Sequence, residues 1–150
     1  MNRKPLIVTG HGRSGTHWLA YLMSHFFDAY HEPEQIQGDI VVDCRLRSQA
    51  ATLQRSGHRV MHLVRDGREV VRSTDAFYKG RHDFAFTCEM WADAVNLCRD
   101  FEFVRLEDII RKAAYTQHYT LPHWTDWTEE QTETFWRICG EGMARHGYER

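Results

Sequence analysis

A chain of 150 residues, 42% hydrophobic and 27% charged, is long enough to close one domain, residues 1–150, around a proper core, and its composition does not point to disorder. A net charge of −2 and a pI near 6.5 exclude a general nucleic-acid or membrane-surface binder, so any anion site must be local. Cys44, Cys88, Cys98 and Cys139 are widely spaced without a Cys-x-x-Cys pair. With no secretory segment and no apolar run long enough for a bilayer, reduced thiols in a cytoplasmic protein are expected.

In chain order, residues 5–9 read as a buried strand that breaks into glycines and resumes as a helix over 14–27, with Leu19, Leu22, Met23 and Phe26 on one face. Gly10, Gly12 and Gly15 let the backbone turn tightly, Ser14 or Thr16 can cap the helix, and its first amides with Arg13 would grip an anion. Residues 28–39 hold His31-Glu32-Pro33, where proline discourages a helix before it, and Gly38 leads into a strand at 40–42 and a polar helix at 46–56. The stretch 58–64 alternates toward an apolar strand, and Asp66 with Glu69 suggests a capped helix to Tyr78. After a loop at 79–86 come an amphipathic helix carrying Met90, Trp91, Ala94, Leu97 and Cys98, a strand at 101–104 and a short helix at 107–114. Residues 115–127 are irregular, and Thr128 with Gln131 forms a capping box for a last helix ending near Gly147. Strand alternating with helix predicts a three-layer α/β domain, with a mainly parallel central sheet, flanking helices and a binding face at the strand C-termini.

Spacing narrows the chemistry of the first turn. Gly10 and Gly15 are separated as in a Walker loop, but Thr16-His17 stands where Lys-Ser/Thr is required, and the cation sits inside the loop at Arg13. A metal framework is not evident: His31-Glu32 lacks the second histidine of a zincin, and His58 with His62 is an isolated pair. A second constellation runs from Val64 to Ser73, where Arg65 closes a strand and Ser73 follows two helical turns later. Between residues 65 and 81 there are five basic residues against three acidic ones.

Gly-Arg-Ser-Gly-Thr-His-Trp, residues 12–18, resembles the 5'-phosphosulfate loop of the sulfotransferases, and Arg-Asp-Gly-Arg-Glu-Val-Val-x-Ser, from Arg65 to Ser73, resembles their 3'-phosphate motif. Residues 103–108 and the closing stretch 136–148 are similar to further segments of that family, so the resemblance runs nearly end to end. It implies the P-loop NTPase-like sulfotransferase fold, in a near-minimal core since most members are longer. The implied donor is 3'-phosphoadenosine 5'-phosphosulfate (PAPS), which leaves adenosine 3',5'-bisphosphate (PAP). Carried over, Gly12, Arg13, Ser14, Gly15, Thr16 and His17 would surround the 5'-phosphosulfate, Trp18 would face the adenine, and Arg65 and Ser73 would hold the 3'-phosphate. The two anchors lie at different strand ends and are expected to act separately. His17 replaces a common Thr, Leu106 a common adenine-stacking Tyr, and the basic Arg-Lys-Gly segment of the cytosolic branch is missing.

The expected activity is transfer of a sulfuryl group to a small-molecule or carbohydrate hydroxyl, or an amine, with Arg13 neutralising the leaving phosphate and a carboxylate or histidine taking the proton. Pro33 should keep the preceding residue extended at a strand end. Some sulfotransferases, including those acting on tyrosine, carry a catalytic Glu at a similar distance beyond the loop, which makes Glu32 the expected base and His31 its rival. A nucleotide-binding module without catalysis and a small-molecule kinase are the alternatives. Trp91, Phe135 and Trp136 are read as packing; Tyr115, Tyr119, Trp124 and Trp127 line an acceptor pocket or close a loop over the core.

Overall fold

Five short runs of residues pair into one sheet in the computed structural model, which describes residues 4–112 and 126–150. The strands are β1 (Leu6–Gly10), β2 (Ala29–His31), β3 (Ile40–Val42), β4 (Val60–Val64) and β5 (Glu102–Arg105), in the order β2-β3-β1-β4-β5. Every neighbouring pair is parallel, so the expected mainly parallel sheet is parallel throughout the described residues. The helices are α1 (Thr16–Met23), a 3-10 turn at Cys44–Gln49, α2 (Ala50–Arg55), α3 (Gly67–Tyr78), α4 (Phe84–Leu97), α5 (Leu106–Lys112) and α6 (Glu129–Arg145). No helix among the described residues is long and apolar enough to cross a membrane.

Alternation within the strands divides the core. Val8, Ile40, Val42 and Leu63 pack on one face with Leu19, Ala20 and Leu106, under α1 and the start of α5. Ile7, Val41 and Val60 point to the other face and meet Ala50 of α2. Parallel strands covered on both faces need apolar residues at consecutive positions, as Ile40–Val42 has. A third cluster joins α3, α4 and α6 through Val70, Val71, Trp91, Val95, Phe135 and Met143. Trp91 and Phe135 are fully buried and Trp136 packs against them, as the packing assignment requires.

Several boundaries differ from the sequence reading. β2 falls in the stretch 28–39, where the sequence reading places a strand end at Glu32 but gives the strand no bounds. Its three residues show no apolar alternation, and pairing with β3 alone, from Ala29 against Ile40 to His31 against Val42, imposes strand geometry on them. α1 stops at Met23 because the chain must turn back to reach that edge, which leaves Phe26 75% exposed rather than on the core face. α4 starts at Phe84, where the Asp83 carboxylate accepts from Ala85 N and Phe86 N. The polar helix is split into the 3-10 turn and α2. The capping box of Thr128 and Gln131 forms as predicted, with 3.2 and 3.0 Å bonds in each direction.

Candidate functional site

The turn from β1 into α1 is braced from within. Ser14 N donates to His11 O at 2.9 Å and Arg13 N donates to His11 Nδ1 at 3.2 Å. Burial, aided by the charges of Arg47 and Arg13, pushes His11 down to about 4, so the imidazole is neutral and free to accept. Gly15 adopts φ 88°, a conformation that favours glycine, and a Cβ there would lie 2.7 Å from Leu106 Cδ2, so that side chain would have to shift. The helix cap is Gly15 itself, without a side-chain bond, where Ser14 or Thr16 was expected. Both of those side chains are buried, and Thr16 Oγ1 lies 3.4 Å from His31 Nε2. Helix geometry leaves the first amides of α1 without intrahelical acceptors, the feature by which such a turn binds anions.

The second motif comes to meet this loop. Arg65 leaves β4 almost fully buried; its Nη1 donates to Arg13 O at 3.1 Å, and its Nη2 lies 3.5 Å from Glu69 Oε2. Arg13 Nε donates to Ser73 Oγ at 3.0 Å, with its guanidinium 5.1 Å from the centre of the Phe77 ring. The anchors expected to act separately are therefore in contact, across 52 and 60 residues of sequence. The sheet explains this: β1 and β4 are neighbours in register, Gly10 opposite Leu63, so the residues that follow each strand emerge side by side.

Glu69 and Phe77 were not among the residues singled out for the site. Their signal was present in the spacing, since 65, 69, 73 and 77 recur every four residues and form one helical stripe. Glu69 was read instead as the capping partner of Asp66. Asp66 caps α3 by accepting from Arg68 N, and Glu69 turns to Arg65.

At the other side of the loop, Glu32 N donates to Val42 O at 3.1 Å, continuing the β2–β3 ladder by one bond. Pro33 does not keep Glu32 extended: its φ is +46°, in the left-handed region, at a cost of about 1–2 kcal/mol for a residue with a Cβ. The turn aims its carboxylate at Cys44, whose Sγ donates to Glu32 Oε1 at 2.9 Å. Burial, that hydrogen bond and the nearby carboxylates push the Cys44 thiol up to about 12. His31 stacks on exposed His17 at 4.8 Å, and burial lowers it from its ordinary value against an opposing pull from Glu32. Glu32, Asp43 and Cys44 offer ligand-type atoms within 4.8 Å of one another, but both Asp43 oxygens are engaged by Arg45. A cavity of about 260 Å³ opens next to them, with Pro33, Ile36, Val41 and Leu46 supplying apolar wall and Arg45 a charged rim.

The remaining sequence candidates are distributed as follows. Gly12 lies exposed on the loop, and Trp18 is half-buried against the Val8 and Leu19 cluster. Tyr115, Tyr119 and Trp124 lie outside the described residues. Trp127 packs against Phe84 and Phe135, each at 5.1 Å, in the α3–α4–α6 cluster.

No protein-family model matches this chain, and no curated protein matches it by sequence. Among solved structures it superposes on mouse sulfotransferase SULT7A1 complexed with PAP, with a TM-score of 0.63 over 97% of this chain and 89% of that one. The fold is that of a sulfotransferase. At 14% identity the likeness is one of architecture: the five-stranded parallel sheet and its flanking helices, with the sulfotransferase chain spanned nearly end to end.

Proposed function

We propose that this protein is a PAPS-dependent sulfotransferase acting on a hydroxyl or amine of a small molecule or carbohydrate. The observation that carries the reading is the convergence of Arg13, Arg65 and Ser73 at the C-terminal edge of β1 and β4. Two guanidiniums lie there beside a helix N-terminus, Arg65 against the Glu69 carboxylate and Arg13 against the Ser73 hydroxyl, and such a cluster suits a donor with two separated anionic groups. The donor supplies an activated sulfuryl group; the chain aligns it, neutralises the phosphate that is left and accepts one proton. Arg13 and the loop amides stabilise the charge that develops on the bridging oxygen, Arg65 and Ser73 hold the 3'-phosphate, and Glu32 takes the acceptor proton. The fold of the PAP-bound neighbour supports this reading, and the four unbridged cysteines are compatible with a cytoplasmic protein.

Thermal shift tests the donor class. PAP should stabilise the protein by mass action, while ATP and GTP, without a 3'-phosphate, do much less. Equal shifts from all three would remove the assignment, and a magnesium-dependent ATP effect would favour the kinase. The non-catalytic module has one observation in its favour: Leu106 is buried against Gly15 where many sulfotransferases have a stacking Tyr. PAP binding without transfer to phenols, alcohols, amines or sugars would favour that module.

The contact between the motifs modifies what substitution should do. Arg13→Ala should chiefly lower kcat and Arg65→Ala chiefly raise the Kd for PAP, each by about 1.5–3 kcal/mol. Because Arg13 Nε donates to Ser73 Oγ, the losses of PAP affinity in Arg13→Ala and Ser73→Ala should sum to more than the loss in the double variant, by about 0.5 kcal/mol or more. Full additivity in a double-mutant cycle would show that the contact carries no energy.

A further inference from the structure

We propose that Cys44 is the positioning residue of Glu32, its thiol tying the carboxylate to the phosphate loop; this rests on Glu32 being the base. Three observations converge. The Sγ donates to Glu32 Oε1 at 2.9 Å, and among the described residues no other group donates to that carboxylate. The same sulfur lies against the loop, since a Cβ on Gly12 would stand 3.6 Å from it. Its backbone is held on both sides: Asp43 N donates to Val8 O at 2.9 Å, and the Asp43 side chain caps the 3-10 turn that Cys44 begins by accepting from Arg45 N at 2.8 Å.

Glu32 needs such a hold. Its left-handed backbone is a strained conformation that the surrounding structure must fix, and the nearby cation, Arg45, is already spent on Asp43 and the Pro33 carbonyl. A thiol suits the task because it is a weak, neutral donor. It orients the carboxylate without the charge of a guanidinium or ammonium, which would stabilise the anion strongly and blunt its basicity. The thiol's own high pKa keeps the proton on sulfur at neutral pH, so the donor role is maintained.

Two measurements test this. The first reads the contact without any acceptor: iodoacetamide labelling at pH 8.5, followed by peptide mass spectrometry. Cys88, Cys98 and Cys139 are buried, so Cys44 should label first, and Glu32→Gln should accelerate it several-fold by removing the negative charge beside the thiol. An unchanged rate would overturn the contact. The second compares transfer to the best acceptor of the panel. Cys44→Ala should lower kcat by about tenfold to a hundredfold through misplacement of the base, with the Kd for PAP unchanged, and Cys44→Ser should recover most of the loss. Wild-type kcat in Cys44→Ala, or equal losses in the Ala and Ser variants, would overturn the role. A wild-type protein that binds no PAP or transfers to nothing would instead sink the sulfotransferase reading, and the positioning role with it.

Discussion

Glu32→Gln should reduce sulfuryl transfer by roughly a hundredfold or more while leaving PAP affinity near that of the wild type. The substitution is close to a clean removal of basicity. Glutamine retains the side-chain length, meets the same backbone strain, and keeps a carbonyl oxygen that can accept from Cys44 Sγ. Binding should be spared because the proposed phosphate ligands, Arg13, Arg65 and Ser73, form their contacts with one another and not with Glu32. His31 is the competing base: burial lowers it below its ordinary value, so it is neutral and able to accept at pH 7. It also touches the loop through Thr16, so His31→Asn should disturb donor binding as well as turnover. If Glu32→Gln keeps full activity while His31→Asn loses kcat at unchanged PAP affinity, the base is His31.

A second large effect is expected from acid. His62 is buried opposite Thr9 in the sheet and edge-on to His146, and burial, then His146 and Arg47, push it down to about 3. His11 stands at about 4 for related reasons. Both groups are depressed from an ordinary value of 6.5, so the unfolded chain takes up protons that the folded protein refuses. The stability they contribute is fully present above pH 6.5 and is lost as pH falls from there toward the folded values. Each histidine accounts for about 1.4 kcal/mol per pH unit in that window. Between pH 7.5 and 5 the pair should therefore remove on the order of 4 kcal/mol, a large share of a typical domain's stability. Urea titrations at stepped pH measure this directly, and His62→Gln should flatten the slope without abolishing it, since burial also depresses His11, His31 and His146. Stability that does not fall across that range would show that these rings are protonated in the folded protein.

The layer architecture was legible in the sequence because apolar runs such as Ile40–Val42 and Val60–Val64 are set by two-sided burial, a local and strong constraint. β2 was not, since Ala29–His31 becomes a strand only through its partner. The loop residues were legible for a similar reason: Gly15 and Arg13 announce a turn whose chemistry lies within a few positions. What joins the loop to the rest was hidden. Nothing at Cys44 distinguishes it from the other thiols until β3 delivers it against Gly12 and Glu32. Nothing in the Pro33 rule foretells the left-handed turn at Glu32, because pairing to Val42 and the bond to Cys44 outweigh the local bias.

The central place of β1 also dictates when the cradle can exist. β1 is made before either of the strands that flank it in the described sheet, and those two neighbours arrive only after long intervening segments. Loop closure must therefore precede the contacts that reward it, as in slow-folding parallel sheets. Arg13 finds Arg65 and Ser73 only after 52 and 60 further residues, so no partly made or partly folded chain presents the whole of the proposed anion site. Capture of the proposed donor would in this way be confined to molecules in which β4 and α3 are already docked, and PAP added during refolding should act on the last steps of assembly and leave the first ones untouched.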